Sequence, residues 1–394
     1  MVLFSMFLAA LNIFNRFYIM AFIALLIFLF TSNRKLRVNS AVVILGVFAL
    51  AIIIFNPQAN DRILDMIKPF TYVVCYIMGL GLIQHRNYMP ADLRQDEKKV
   101  SSVIYVMAGG TLLHFLLNWI TNMNATNRNT VDIWTEDVLA ATGQAVLACL
   151  GMAVAIAFLF TRVGKGKKFI AITTLVLVVA YNLILAGRTL FILILVVSMV
   201  AFLYICVAEQ RKIPRVVIIT ISLVIVCFIL YQVNVFGIKT TIETSNFYMR
   251  FYGDTSTQGW DEDIRLDHKL NYLKYVLKYL WGGSNIKNIY GHYAHDLYLD
   301  TYDESGVFAF GAIAIYIISS IGRMVKCIRR KAISIETRVL ILCTYLVCNI
   351  EFWLEPVMQG IPWFLMAYCF IDGAVTYLLV REREIQISTS LYHQ

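Results

Sequence analysis

Apolar runs separated by short polar connections repeat along almost the whole chain. A helix needs roughly 20 apolar residues to cross the hydrocarbon of a bilayer. On that criterion the pattern predicts spans near 8–31, 38–55, 67–84, 100–121, 138–160, 168–187, 189–208, 215–235, 305–322, 339–355 and 359–380. The total is about eleven, within a range of 10–12, because Asn15-Arg16 interrupts the first run and leaves 1–14 too short to span. One long stretch, 236–304, breaks the pattern with polar residues. The chain thus divides into an N-terminal membrane bundle (1–235), a large loop (236–304) and C-terminal membrane helices with a short tail (305–394). The expected fold class is an all-α polytopic membrane protein.

Composition agrees with lipid as the solvent. Of 394 residues 59% are hydrophobic and 15% charged, and the mean hydropathy is +0.70, too little polar surface for a water-soluble fold. The eight cysteines lie in or beside apolar runs with no CxxC spacing, and read as small core residues. Met1 to Phe30 lacks an early basic region and a small-residue cleavage site, so it is expected to stay in the membrane.

The net charge of +9 changes the picture through its distribution. Connections at 34–37, 86–99, 162–168, 211–215, 323–338 and 381–383 carry 22 of the 34 Lys and Arg but only 5 of the 25 acids. The alternate connections (56–66, 122–137, the corner near Gly187, 236–304 and 351–358) hold most of the remaining acids. Basic loops stay in the cytoplasm. The large loop is therefore expected outside and the C-terminus inside. The basic charge reads as a topology signal and an attraction to anionic lipid, with no call for nucleic acid.

Candidate chemistry gathers in the loop. Leu266, Leu270, Leu273, Leu277 and Leu280 recur at helical spacing. They predict an amphipathic helix over Leu266–Trp281 lying in the membrane interface, with Lys269, Lys274 and Lys278 turned toward headgroups or a phosphorylated ligand. The acidic run Asp261-Glu262-Asp263 suits a helix start, whereas Arg265 opposes the dipole there and needs a partner. An anionic ligand and a pairing with Asp261 or Glu262 both meet that need. Three of the six histidines, His268, His292 and His295, lie in this loop, at a spacing that matches no common metal-ligand pattern. A helix running through His295 would put it on a face with Leu299, apart from Asp296, Asp300, Asp303 and Glu304. Tyr290, Tyr293, Tyr298, Tyr302 and Trp260 offer stacking faces for sugar rings, and suit a membrane interface equally well. Two charges sit at or in spans. Arg188 can snorkel to lipid phosphates or bind a ligand, and Asp372 implies either a buried partner or a function.

Gly187-Arg188-Thr189 opens an apolar span, and a second arginine, Arg265, lies in one large outward loop. The Gly282-Gly283 turn is followed by His295-Asp296-Leu297-Tyr298-Leu299 and then Glu304-Ser305-Gly306. This order resembles the O-antigen ligase and Wzy-type repeat-unit polymerase superfamily, whose late motif is close to His-Asn-x-Tyr-Leu; here Asp296 stands in the Asn place. The resemblance implies a C-type glycosyltransferase fold acting on a polyprenyl-pyrophosphate-linked oligosaccharide, without metal or cofactor. It implies that Arg188 and Arg265 hold the pyrophosphate and that His295 acts at the reaction centre, as base or phosphate ligand. Lys269, Lys274, Asp296 and Tyr298 would line the donor site. The implied setting is a bacterial inner or plasma membrane, with lipid-linked donor and acceptor, a flippase and a chain-length regulator as partners. The polymerase reading builds capsule, O-antigen or exopolysaccharide, whereas a ligase of the same superfamily differs in acceptor. A transporter without chemistry would instead require membrane charges lining a path.

Overall fold

The computed structural model describes residues 1–31, 38–56, 63–82, 93–123, 129–185, 187, 189–209, 232–234, 239, 243, 248 and 264–392. The predicted span 215–235 lies outside these residues except for 232–234.

Among the described residues, seven helices are long and apolar enough to cross a membrane. They are α6 (Leu93–Thr121), α7 (Ala141–Phe160), α8 (Lys165–Ile184), α9 (Thr189–Ala208), α12 (Leu297–Arg329), α13 (Ile335–Leu354) and α15 (Pro362–Tyr392). Shorter apolar helices are α2 (Phe17–Thr31), α3 (Ser40–Phe55) and α5 (Phe70–Leu82). The protein is thus an all-α, membrane-embedded bundle. Each of these helices falls on a predicted run, for a simple reason: in lipid the backbone satisfies its polar groups internally.

The predicted first span, 8–31, is not one helix. It splits into α1 (Val2–Ala10), a 3-10 turn at Ile13–Asn15, and α2. Asn12, Phe14 and Asn15 take left-handed backbone there (φ 51°, 52° and 54°), which two of the three, as asparagines, tolerate. Next, α4 (Ile63–Ile67) leads into α5. Between α6 and α7 a small hairpin pairs β1 (Asn129–Val131) with β2 (Val138–Ala140), Thr130 opposite Leu139. It is pinned by His114 Nε2, 2.8 Å from Asp132 Oδ2. Burial pushes the Asp132 carboxyl up, but the bond and charge of His114 outweigh it and hold the acid below its usual range.

The centre of the bundle is α15. It packs against α5 in backbone contact: a Cβ on Gly79 would stand 2.0 Å from the Phe370 carbonyl, and one on Gly373 would stand 2.1 Å from that of Tyr76. Small residues permit this approach where dispersion, rather than the hydrophobic effect, holds helices together. Beside Gly373, Asp372 meets Arg323, with Nη2–Oδ2 at 2.5 Å and Nε–Oδ1 at 3.0 Å, while Tyr345 donates to Oδ1 at 2.7 Å. Asp372 therefore has a structural partner. Arg323, grouped by sequence with a basic connection, is instead a half-buried counter-ion. The seven described cysteines are free and buried, as core residues should be.

The bundle has two ends of different chemistry. At one, Glu97 accepts from Ser334 N (3.2 Å) and Thr337 Oγ1 (2.8 Å), Arg381 lies 3.9 Å from Asp96, and Arg330 lies 3.6 Å from Glu382. The basic connections at 162–168 and 329–338 converge there. At the other end lie the hairpin, Gly187, the 355–361 connection and the described part of the polar loop.

Candidate functional site

Residues 264–307 are held together by the acids that open α12. Asp296 caps this helix, its Oδ1 accepting from Tyr298 N (3.0 Å) and Leu299 N (2.7 Å). Asp300 reaches back to Ala294 N (2.8 Å) and Asp296 N (3.1 Å). Asp303 accepts from Ile286 N (2.8 Å) and Lys287 N (3.0 Å), and so caps the short helix α11 (Asn285–Tyr290). Three carboxylates thus satisfy six backbone N–H groups. Glu304 accepts from Gln359 Nε2 at 2.8 Å, on the one-turn helix α14 (Val357–Gly360). Asp300, Asp303 and Glu304 build the site rather than line it, while Asp296 also turns its Oδ2 toward Lys269.

A kink in α12 locks the preceding loop. Gly306 breaks the helix with φ 75° and ψ −176°. The carbonyls of Asp303 and Glu304 then accept from Ser284 N (2.8 Å) and Gly283 N (3.1 Å), and Val307 N donates to Leu280 O (2.9 Å). A Cβ on Gly282 would fall 2.7 Å from the Glu304 carbonyl, and one on Gly306 would fall 2.8 Å from that of Leu280. The Gly-Gly turn and the small-residue helix entry are therefore two halves of one crossing.

The amphipathic helix is α10 (Ile264–Tyr275), shorter than the predicted Leu266–Trp281. Its leucines at 266, 270 and 273 are exposed, and the face bearing Arg265, His268, Lys269 and Tyr272 packs on the protein. Such an exposed apolar stripe suits an interfacial helix. Arg265 Nη1 donates to Leu354 O (2.8 Å) and Glu355 Oε1 (3.2 Å), and Lys269 Nζ donates to Trp353 O and lies 3.5 Å from Asp296 Oδ2. Two cations thus sit on the carbonyl end of α13, where the helix dipole favours them. Arg265 opposes its own helix's dipole but complements that of α13. Its partner Glu355 lies 90 positions further along the chain.

The three loop histidines come together. His268 stacks on His292 with 3.7 Å between ring centroids and on His295 with 5.8 Å. Tyr272 Oη fixes this arrangement by donating to His292 O at 2.7 Å. Among the described residues no three His, Cys, Asp or Glu side chains are placed to hold a metal ion. His295 is not in a helix, contrary to the sequence reading. It precedes the Asp296 cap in left-handed backbone (φ 60°), so its direction is not tied to Leu299. Its buried Nδ1 has no hydrogen-bond partner. Burial, then the charge of Arg265 and the neighbouring imidazoles, pulls its pKa down to about 4, and burial lowers that of His268 too. His295 is a neutral imidazole at ordinary pH. Burial pushes the Asp296 acid up, against its backbone bonds and Lys269.

Of the other expected residues, Tyr298 joins the site, its ring 4.9 Å from that of Trp353. Lys274 does not. It lies half a helical turn from Arg265, exposed and bonded to Asn271 Oδ1 at 3.0 Å. Tyr302 is buried and donates to Val276 O, so it offers no stacking face. Arg188, Trp260, Asp261 and Glu262 lie outside the described residues. Gly187 and Thr189, which flank Arg188, lie at this end of the bundle.

Sequence reasoning passed over Glu351, Trp353 and Glu355. They sit where α13 ends, and Glu351 and Glu355 are 0% and 2% exposed. Two glutamates four residues apart at the close of an apolar span were the available signal. The chain matches no family model and no curated protein.

Proposed function

We propose that the protein is a polysaccharide polymerase, transferring an oligosaccharide from a polyprenyl-pyrophosphate carrier to the end of another repeat unit at the outer face of a bacterial membrane. The observation that carries this reading is the meeting of Arg265, Lys269 and an uncharged His295 at one end of the bundle, beside the Tyr298–Trp353 aromatic pair. In this reading the acceptor oxygen attacks C1 of the donor sugar. The C1–oxygen bond to pyrophosphate breaks with its electron pair going to the phosphate oxygen. The acceptor proton passes to His295, as suits a neutral imidazole near the reacting hydroxyl.

Arg265 and Lys269 stabilise the charge that builds on the leaving pyrophosphate, with Arg188 as a further expected phosphate ligand. An exposed leucine stripe on α10 suits a helix resting at lipid depth, next to a carrier whose tail stays in the bilayer. The large loop faces outward and about eleven spans cross the membrane in this account, because basic connections are retained in the cytoplasm.

The test is polymer formation on a gel, in a deletion strain carrying Arg265→Ala or Arg265→Lys at matched membrane levels. Both are expected to remove the ladder, the lysine variant because it loses the planar two-pronged contact. Full-length polymer from Arg265→Ala would dismiss the assignment.

A further inference from the structure

Glu351 and Glu355 stand one helical turn apart at the C-terminal end of α13, on the side facing α7 and α10. Neither oxygen of Glu351 has a hydrogen-bond partner, which is rare for a buried polar group and calls for a reason. The groups facing the pair are few. Arg265 and Lys269 approach Glu355 from α10, and Thr142 approaches it from α7; Cys149 of α7 and Cys348 of α13 lie beside Glu351. Among the described residues the salt bridge to this pair is that of Arg265. Two ionised carboxylates at this spacing, out of water and sharing one guanidinium, repel each other strongly, and such a pair keeps a proton. Glu351 has no donor to stabilise a charge, whereas Glu355 holds Arg265.

We propose that Glu351 and Glu355 form a proton-linked counter-ion for Arg265: when a pyrophosphate anion takes the guanidinium, Glu355 loses its partner and binds a proton from solution. The inference rests on reading Arg265 as a phosphate ligand. One O–H bond forms on Glu355, the proton is given up by the acid form of the buffer, which is left as its conjugate base, and one ion pair is exchanged for another. When the pyrophosphate product leaves, Glu355 ionises again and draws Arg265 back. The exchange keeps the half-buried Arg265 from standing without a counter-charge at any stage. Glu355 is thus a positioning residue, acting through Arg265.

The test uses the full-length protein in nanodiscs, titrated calorimetrically with inorganic pyrophosphate at one pH in two buffers of different ionisation enthalpy. Comparing wild type with Glu355→Gln cancels the protonation change of pyrophosphate itself. The wild type is expected to take up about one proton more per anion bound than the variant. Equal uptake would overturn the proposal while leaving the phosphate site intact. Absence of binding in the wild type would overturn the phosphate reading beneath it. Should Glu355→Gln fail to fold, Glu351→Gln is the second variant. Its neutral amide imitates the protonated acid, so uptake is expected to persist, and loss of uptake there would equally contradict the assignment.

Discussion

His295 illustrates how little a residue's identity says before its setting is known. Burial and four neighbouring basic groups hold it neutral down to about pH 4, well below the ordinary 6.5. The unfolded chain therefore binds a proton between these values that the folded chain refuses. Stability from this group is full above pH 6.5 and is lost as pH falls toward 4. The acid limb of kcat/KM, which reports the free enzyme, is expected near 4, and that of kcat higher, because bound pyrophosphate favours the imidazolium. A pH–rate profile that places both limbs near 6.5 would contradict this. Asp303→Asn is expected to lower stability by about 1–3 kcal/mol in thermal unfolding, since one of two buried N–H groups loses its acceptor. Lys274→Ala is expected to leave the polymer ladder unchanged, because that side chain bonds only within α10 in this site's surroundings. His295, Arg265 and Lys269 were legible in the sequence because charged and imidazole groups stand out in an apolar chain. Glu355 was not, because its meaning comes from a contact 90 residues away.

At the scale of the element, apolar periodicity located the helices but not their interruptions. The break in the first run showed in advance at Asn15-Arg16, yet the left-handed turn that makes it depends on local backbone geometry. The loop helix was visible from its leucines, whereas its end at Tyr275 was not, since the stripe continues through Leu277 and Leu280 in non-helical chain. The leucine stripe was expected to face away from the protein and is exposed, but the contacts by which Arg265 and Lys269 pack on α13 could not be read from the pattern. An apolar stripe normally packs inward; here it is exposed and the polar face turns to the protein, as suits an interfacial helix. Asp300, Asp303 and Glu304 are caps and clamps, whereas Asp296 caps α12 with one oxygen and turns the other toward Lys269. The kink of α12 yields a sharp test. Gly306→Ala is expected to destabilise by about 1–3 kcal/mol, as its φ of 75° disfavours any Cβ and Leu280 O stands 2.8 Å from where one would be. Unchanged melting of that variant would mean that the crossing with Gly282 does not matter.

For the whole molecule, a bundle with two chemically different ends explains why the charge pattern was so legible. Among the described residues the basic connections 162–168 and 329–338 lie at one end, as expected where crossing the membrane is costly for Lys and Arg, a cost that acts on sequence alone. The placement of Asp372 against Arg323 was not legible, because it requires knowing which helices adjoin. Sidedness can be checked with single cysteines and a membrane-impermeant maleimide. Asn288→Cys is expected to react in intact cells and Lys331→Cys only after permeabilisation, and the opposite pattern would invert the topology. The most direct measurement on the account as a whole is polymer length in a deletion strain expressing His295→Ala, with the lipid-linked pool analysed alongside. The account predicts loss of the ladder and accumulation of single lipid-linked units, with the protein still in the membrane. A normal ladder at matched expression would show that His295 is an ordinary interfacial histidine and that glycosyl transfer, if it occurs, happens elsewhere.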